Sequence, residues 1–385
     1  MTHDVDIAII GAGVVGLAIA VELSATRQVA LLERHESYGL ENSSHNSGVV
    51  HAGIYYPPDW LKTILCIEGN TLLYRWADEH GVPARRTGKL IIAVEEAEGP
   101  ALEELLAAAQ ANGVPDLKLI TSRRQIEALE PAIEAVAAIY SASSGVIDQM
   151  GLMRSFLNVV RSNDVMVAFK HDVTALRRDR DGFTLSIVDP AGDSSTLRTK
   201  ALVNSAGLAA DRVAAMLGYP LDGDGTTPPL RQTVNKGRYY DIVTPAKASL
   251  VRHLIYPLPH ADRAGLGVHV TLDIDGGVHL GPDTEWLPDT DWLDKTAALD
   301  YRADDSRRSQ FVESTQRYLP WLTAEDVMPG QVGYRPKLHR PGEGPADFLI
   351  WHDRGYLHLG GIESPGMTSS LAIARLVRTM LAETA

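Results

Sequence analysis

Three glycines near the start of the chain, Gly11, Gly13 and Gly16, are spaced G-x-G-x-x-G. That spacing suits a pyrophosphate. The first glycine permits a tight turn, the second lets a phosphate approach bare backbone, and the third lets a helix pack close to a strand. An anion there meets free N–H groups and the positive end of a helix dipole. Val14 and Val15 belong to the same turn. Glu33 follows Gly16 by seventeen residues. A carboxylate at that distance accepts hydrogen bonds from an adenosine ribose and repels a 2′-phosphate.

The elements that must hold these residues are legible. Asp6–Ile10 is a short apolar run, Gly16–Leu23 is rich in helix formers, and Gln28–Glu33 is a second strand ending in an acid. Strand, glycine turn, helix and strand within about thirty residues make a βαβ unit. Farther on, Ala201–Asn204 is a buried strand leading into Ser205-Ala206-Gly207. Phe348–Trp351 and Tyr356–Leu359 are final strands, followed by Gly360-Gly361 and a last helix from Thr368 to Leu381. Between them, Arg238–Val243, His253–Pro257, Gly267–Leu272 and Gly277–Leu280 alternate like an antiparallel sheet. The expected class is α/β: a Rossmann-like dinucleotide domain with an α+β second domain on a mixed or antiparallel sheet.

Bulk properties agree. A chain of 385 residues exceeds what one core comfortably holds, so two domains are expected. Cys66 is the one cysteine, which rules out an intrachain disulfide and a multi-thiolate zinc site; no metal is expected. A net charge of −13 lacks a nucleic-acid footprint. The apolar Val5–Leu23 stretch is no secretory leader, because Asp4 and Asp6 stand where positive charge belongs. No other stretch reaches the ~20 apolar residues that cross a bilayer. A cytoplasmic protein is expected, with peripheral membrane contact left open.

FAD is favoured over NAD by three features. The βαβ unit opens the chain, the irregular Ser43-Ser44-His45-Asn46-Ser47-Gly48 segment follows it closely, and Met367-Thr368 opens a terminal helix suited to cover a flavin. Together with the residues above, the expected cofactor contacts are Arg34, Ser44, His45, Asn46, Ser47, Gly48, Val50, Val173, Ala206, Gly207, Arg335, Gly361, Gly366, Met367 and Thr368.

The N-terminal fingerprint, Asn204-Ser205-Ala206-Gly207 and the C-terminal Gly-Gly loop resemble the D-amino-acid-oxidase family of FAD-dependent oxidoreductases. Within it, His45 to Tyr56, Gly267-Val268-His269-Val270-Thr271, Leu280-Gly281-Pro282 and Gly333-Tyr334-Arg335-Pro336-Lys337 look most like the L-2-hydroxyglutarate dehydrogenase/oxidase subgroup. The resemblance implies an FAD domain of residues 1–87, 145–225 and 331–385, and a substrate domain of 88–144 and 226–330. Two stretches depart from the subgroup: Val234-Asn235-Lys236-Gly237-Arg238-Tyr239-Tyr240, and a C-terminal loop carrying Glu363 and Met367.

The implied activity is oxidation of a small 2-hydroxy acid to the 2-oxo acid, with hydride passing to flavin N5. Arg335 would clamp the α-carboxylate, as a planar guanidinium does well. His51 and His269 are candidates for the base that takes the hydroxyl proton. Tyr256 would hydrogen-bond the carboxylate, and Lys236 would meet a distal one. His51-Ala52-Gly53 is also similar to the setting in which dimethylglycine and sarcosine dehydrogenases attach flavin covalently, so linkage stays open. The acceptor is equally open among oxygen, a quinone and a protein carrier. A D-amino-acid or secondary-amine oxidase is the nearest alternative, and a non-catalytic dinucleotide-binding redox sensor is the alternative of another class.

Overall fold

The computed structural model describes residues 3–258, 267–288 and 299–382. It divides into two compact units, residues 1–44, 149–234 and 334–385, and residues 45–148 and 235–333.

In the first unit the strand Val5–Ile10 lies between Val29–Glu33 and the long strand Ser194–Asn204, parallel to both. Met166–Phe169 extends the sheet beyond Val29–Glu33, and Tyr356–Gly360 pairs in parallel with the far half of Ser194–Asn204. The near half of Ser194–Asn204 turns antiparallel to Phe183–Val188, itself paired with Asp172–Arg178. Ala8, Ile10, Ala30, Leu32, Leu202 and Tyr356 share one core cluster on one face of the sheet. Ile7, Ile9 and Leu31 are buried at the intervening positions, so both faces are covered, as a parallel sheet requires. The helix Val14–Ser24 packs against the helices Gln149–Ser162 and Gly366–Ala382, and its residues Leu17 to Ala20 are all buried.

The second unit is built on a mixed sheet. Lys89–Ala93 runs parallel to Leu254–Pro257 and antiparallel to Ala137–Ser141. Val270–Leu272 follows antiparallel to Leu254–Pro257, then Val278–Leu280 and Thr233–Ile242. The helix Leu61–His80 and the small sheet of Val49–Val50, Gly145–Ile147 and Ala84–Arg85 belong here too. Residues 45–87, assigned from sequence to the cofactor domain, therefore lie in the second unit. Hydrogen bonds from Asn70 to the carbonyls of His51 and Ser143, at 2.8 and 3.0 Å, stitch that segment into it. The expected strand Gly267–Leu272 begins at Val270, and Arg238–Val243 begins earlier, at Thr233.

Candidate active site

The glycine turn of the first unit has the shape its spacing implies. Gly11 has φ +101°, and a Cβ there would lie 2.6 Å from the Ser205 carbonyl oxygen. A Cβ on Gly16 would meet the Gly11 carbonyl oxygen at 2.0 Å, and one on Gly13 would meet Ser43 Oγ at 3.0 Å. Gly13 caps the helix without a side-chain bond, and no acid stands in the first turn, so the positive end of the helix dipole is not neutralised by its own side chains. Val14 donates its N–H to Ser43 Oγ at 3.0 Å. The buried Glu33 carboxylate accepts the N–H groups of Ala12 at 2.8 Å and His35 at 2.9 Å. Arg34 is ion-paired with Glu41 instead of standing clear for a ligand.

Two loops close on this turn. Ser205 Oγ donates to the Ile10 carbonyl at 2.9 Å, and Gly207 sits at φ +54°. Gln232 donates to the Gly207 carbonyl at 3.0 Å and accepts the Gly361 N–H at 2.7 Å, so one buried amide ties the post-strand loop to the C-terminal loop. Nothing in the sequence pattern pointed to Gln232. Gly366, Met367 and Thr368 open the terminal helix, and Thr368 is buried. Val173 is buried in Asp172–Arg178, and Ser44 accepts a bond from Gln149 at 3.1 Å. Arg335 lies on the strand Val327–Lys337, not in a loop, and is half-buried. Lys337, two residues on and on the same strand face, is ion-paired with Glu363, so the acid that departs from the subgroup pattern is neutralised.

The second unit holds the imidazoles. Asn46 Oδ1 accepts the Gly48 N–H at 2.9 Å, and Gly48 at φ +62° feeds the strand Val49–Val50, where Val50 pairs with Gly145. His45 packs its ring 4.2 Å from that of Tyr301, and Ser47 lies in the same turn. His51 leaves the end of the strand. Ile255 pairs with Val270, which sets Tyr256 next to His269; their ring centroids are 3.6 Å apart and nearly parallel at 15°. Leu254 pairs with Lys89 and Tyr256 with Ile91, so Lys89 shares a face with Tyr256. Its ammonium lies 4.0 Å from the Tyr256 ring centroid and 6.0 Å from that of Tyr55. Nothing in the spacing of its neighbours marks Lys89 as part of this cluster.

The electrostatics follow from this burial. Desolvation drives the His51 imidazole well below its ordinary range, and the nearby positive charges of Lys89 and His269 add to it. Desolvation also brings Lys89 down to about 7, against a small opposing pull from Cys66. The Tyr256 hydroxyl is pushed well up by burial. His51 is thus a neutral imidazole at physiological pH. Lys236, on Thr233–Ile242, has Asp304 at 4.0 Å and pairs in register with Glu285. Acids already surround it, which weakens its claim on a distal carboxylate. Beside it Arg238 binds Asp283 at 3.1 Å, Asp304 at 3.2 Å and also Glu285.

A family model described as FAD dependent oxidoreductase, DAO, matches residues 6–380. The chain belongs to that family. Among relatives of this oxidoreductase, a protein from Arabidopsis thaliana named L-2-hydroxyglutarate dehydrogenase, mitochondrial, is 37% identical over 96% of the chain and 82% of its own length. The protein of that name from Homo sapiens is 31% identical over 98% of the chain and 88% of its own length. Of solved structures, L-alpha-glycerophosphate oxidase from Mycoplasma pneumoniae with FAD bound is 26% identical, with a TM-score of 0.84, covering 99% of this chain and 95% of that one. Glycine oxidase from Geobacillus kaustophilus, 19% identical over 100% of this chain and 96% of that one with a TM-score of 0.77, shares the fold.

The cofactor of the DAO oxidoreductases is FAD, and the turn fits it: Gly11, Gly13 and Gly16 let the backbone close tightly on Ser205, Ser43 and Gly11, and no acid stands in the helix's first turn to repel a phosphate. Among the described residues, no helix is long and apolar enough to cross a membrane.

Proposed function

We propose that this oxidoreductase oxidises L-2-hydroxyglutarate, or a close 2-hydroxy acid, to the 2-oxo acid. The observation that carries the reading is His51: an imidazole held neutral by its surroundings, within a chain similar along nearly its whole length to proteins named for that reaction. Removing two electrons and two protons from a secondary alcohol requires a group for the hydroxyl proton, and a neutral imidazole is such a group. Bound FAD supplies the acceptor for the electron pair that leaves with the α-hydrogen.

The chain's own residues take the remaining roles. The Gly11–Gly16 turn and the start of its helix hold the pyrophosphate, and Glu33 takes the adenosine ribose. His51 accepts the hydroxyl proton, and His269, fixed against Tyr256, orients the hydroxyl. Arg335 binds the α-carboxylate through paired N–H donors. Steady-state turnover with an artificial acceptor tests the proposal. L-2-hydroxyglutarate should be the preferred substrate over glycine, D-amino acids and glycerol 3-phosphate. A preference for an amine or for the phosphate ester overturns it.

A further inference from the structure

Lys89 is 1% exposed and heads a strand whose five residues are all buried. A buried ammonium is costly unless an anion offsets it. Among the described residues its amine has no hydrogen-bond partner and no carboxylate at ion-pair distance; it lies over the rings of Tyr256 and Tyr55. The Tyr55 hydroxyl is itself buried without a hydrogen-bond partner among the described residues. Other cations of the second unit are already matched. Lys236 has Asp304 at 4.0 Å, Arg238 holds Asp283, Asp304 and Glu285, and Lys247 pairs with Asp326 at 2.6 Å.

We propose that Lys89 binds the distal carboxylate of a dicarboxylic substrate and so sets a preference for a 2-hydroxy diacid over a 2-hydroxy monoacid. This rests on the reading that His269 orients the substrate hydroxyl. Tyr256 carries the geometry: its ring has the His269 ring stacked at 3.6 Å and the Lys89 ammonium at 4.0 Å, so imidazole and amine flank one ring. With hydrogen bonds of about 2.8 Å at each end, a glutarate skeleton need span little more than the thickness of that ring. The strand register fixes both sides, because Leu254 pairs with Lys89, and Ile255 pairs with Val270, the neighbour of His269. The ionisable groups that face the amine or feel its charge are Cys66 on Leu61–His80, Tyr55 and His51 after Val49–Val50, and Tyr256, with His269 behind the Tyr256 ring. Burial holds the Cys66 thiol up at about 12 and both phenols above their usual range, so none of these three is an anion near neutral pH. A carboxylate arriving there meets no negative charge from them and accepts charge-assisted bonds from the amine. Burial brings the amine itself to about 7, and a carboxylate beside it holds its proton.

The test titrates wild-type holoenzyme and Lys89→Met with glutarate and with pentanoate, following flavin absorbance. The two acids share a chain length, differ by one carboxylate and carry no hydroxyl to oxidise. Glutarate should bind the wild type more tightly than pentanoate. Lys89→Met should lose about 10- to 100-fold of glutarate affinity, while pentanoate binding moves far less. The ratio of kcat/KM for L-2-hydroxyglutarate to that for L-2-hydroxypentanoate should fall by the same factor. Equal losses for the two acids, or glutarate no tighter than pentanoate in the wild type, overturn the proposal. Should Lys89→Met fail to fold, the wild type decides by pH. Its glutarate preference should shrink between about pH 7 and 9 as the amine gives up its proton, and a preference constant over that range overturns the proposal. The titrations involve no turnover, so a failure of hydroxy-acid oxidation shows separately from a failure of the Lys89 contact.

Discussion

The Glu33 carboxylate accepts the Ala12 backbone N–H at 2.8 Å, joining the end of the second strand to the glycine turn. One side chain thus shapes the glycine turn and is the carboxylate proposed to meet the ribose. Glu33→Ala should weaken FAD binding at least about tenfold, the usual loss for a hydrogen bond to a charged group. Flavin fluorescence during reconstitution of apoprotein measures it, and unchanged affinity would remove Glu33 from the cofactor site.

Gly16 allows no side chain, with the Gly11 carbonyl oxygen 2.0 Å from any Cβ. Backbone must shift for Gly16→Ala to fold, a cost of roughly 1–3 kcal/mol by analogy with overpacking. The variant should purify with less flavin and a lower Tm. Gly344, with no atom near its Cβ position and no positive φ, serves as the control: Gly344→Ala should leave Tm nearly unchanged and keep its flavin.

His51 gives a pH prediction. Its pKa is depressed, so the deprotonated form that accepts a proton persists as pH falls below 6.5. For hydroxy-acid oxidation, kcat/KM should stay flat through pH 6.5 and decline only at more acidic values. His51→Ala should lower kcat roughly 10²- to 10⁴-fold with flavin retained. A pH profile with an ordinary histidine limb would assign the base elsewhere.

Arg335 is expected to act through geometry as well as charge. Arg335→Lys keeps the charge but loses the paired donors. A rise in KM of about 10-fold or more should follow, with a smaller change in kcat. Equal KM in the two enzymes would place the carboxylate on another cation.

Asp326 supports the second unit. Burial alone would raise its pKa, but bonds from Lys247, Thr323 and Thr244 outweigh this and hold it well below the usual carboxylate range. A depressed folded-state pKa contributes stability that is present above the unfolded value near 3.8 and is lost as pH falls through the folded one. Asp326→Asn should therefore cost roughly 1–2 kcal/mol at neutral pH, and the gap should close in strongly acidic solution. Denaturant melts at several pH values would show it; a gap independent of pH contradicts the charge argument.

The sequence exposed what local pattern encodes. Asp6–Ile10, Ala201–Asn204 and Tyr356–Leu359 lie within their strands because apolar runs bounded by turn residues leave few alternatives. The Gln149–Ser162 helix is amphipathic, and its place is set by packing on Val14–Ser24, far away in the chain. Val327–Lys337 was missed for a physical reason: Pro329, Gly330, Gly333 and Pro336 within it read as loop, yet the strand forms by pairing with Thr233–Ile242. Residues 45–87 fall in the second compact unit, where Asn70 bonds to Ser143 across 73 positions, a link that local pattern does not encode. The glycine turn was visible because its chemistry is contiguous. Gln232 and Lys89 were not, since each matters through residues far off in the chain.

Anaerobic titration of the yellow holoprotein tests the central claim most directly, following flavin absorbance as L-2-hydroxyglutarate is added. Complete bleaching by the L-enantiomer, with little by the D-enantiomer, glycine or glycerol 3-phosphate, is the predicted result. A flavin that stays oxidised with L-2-hydroxyglutarate while bleaching with an amino acid would contradict it.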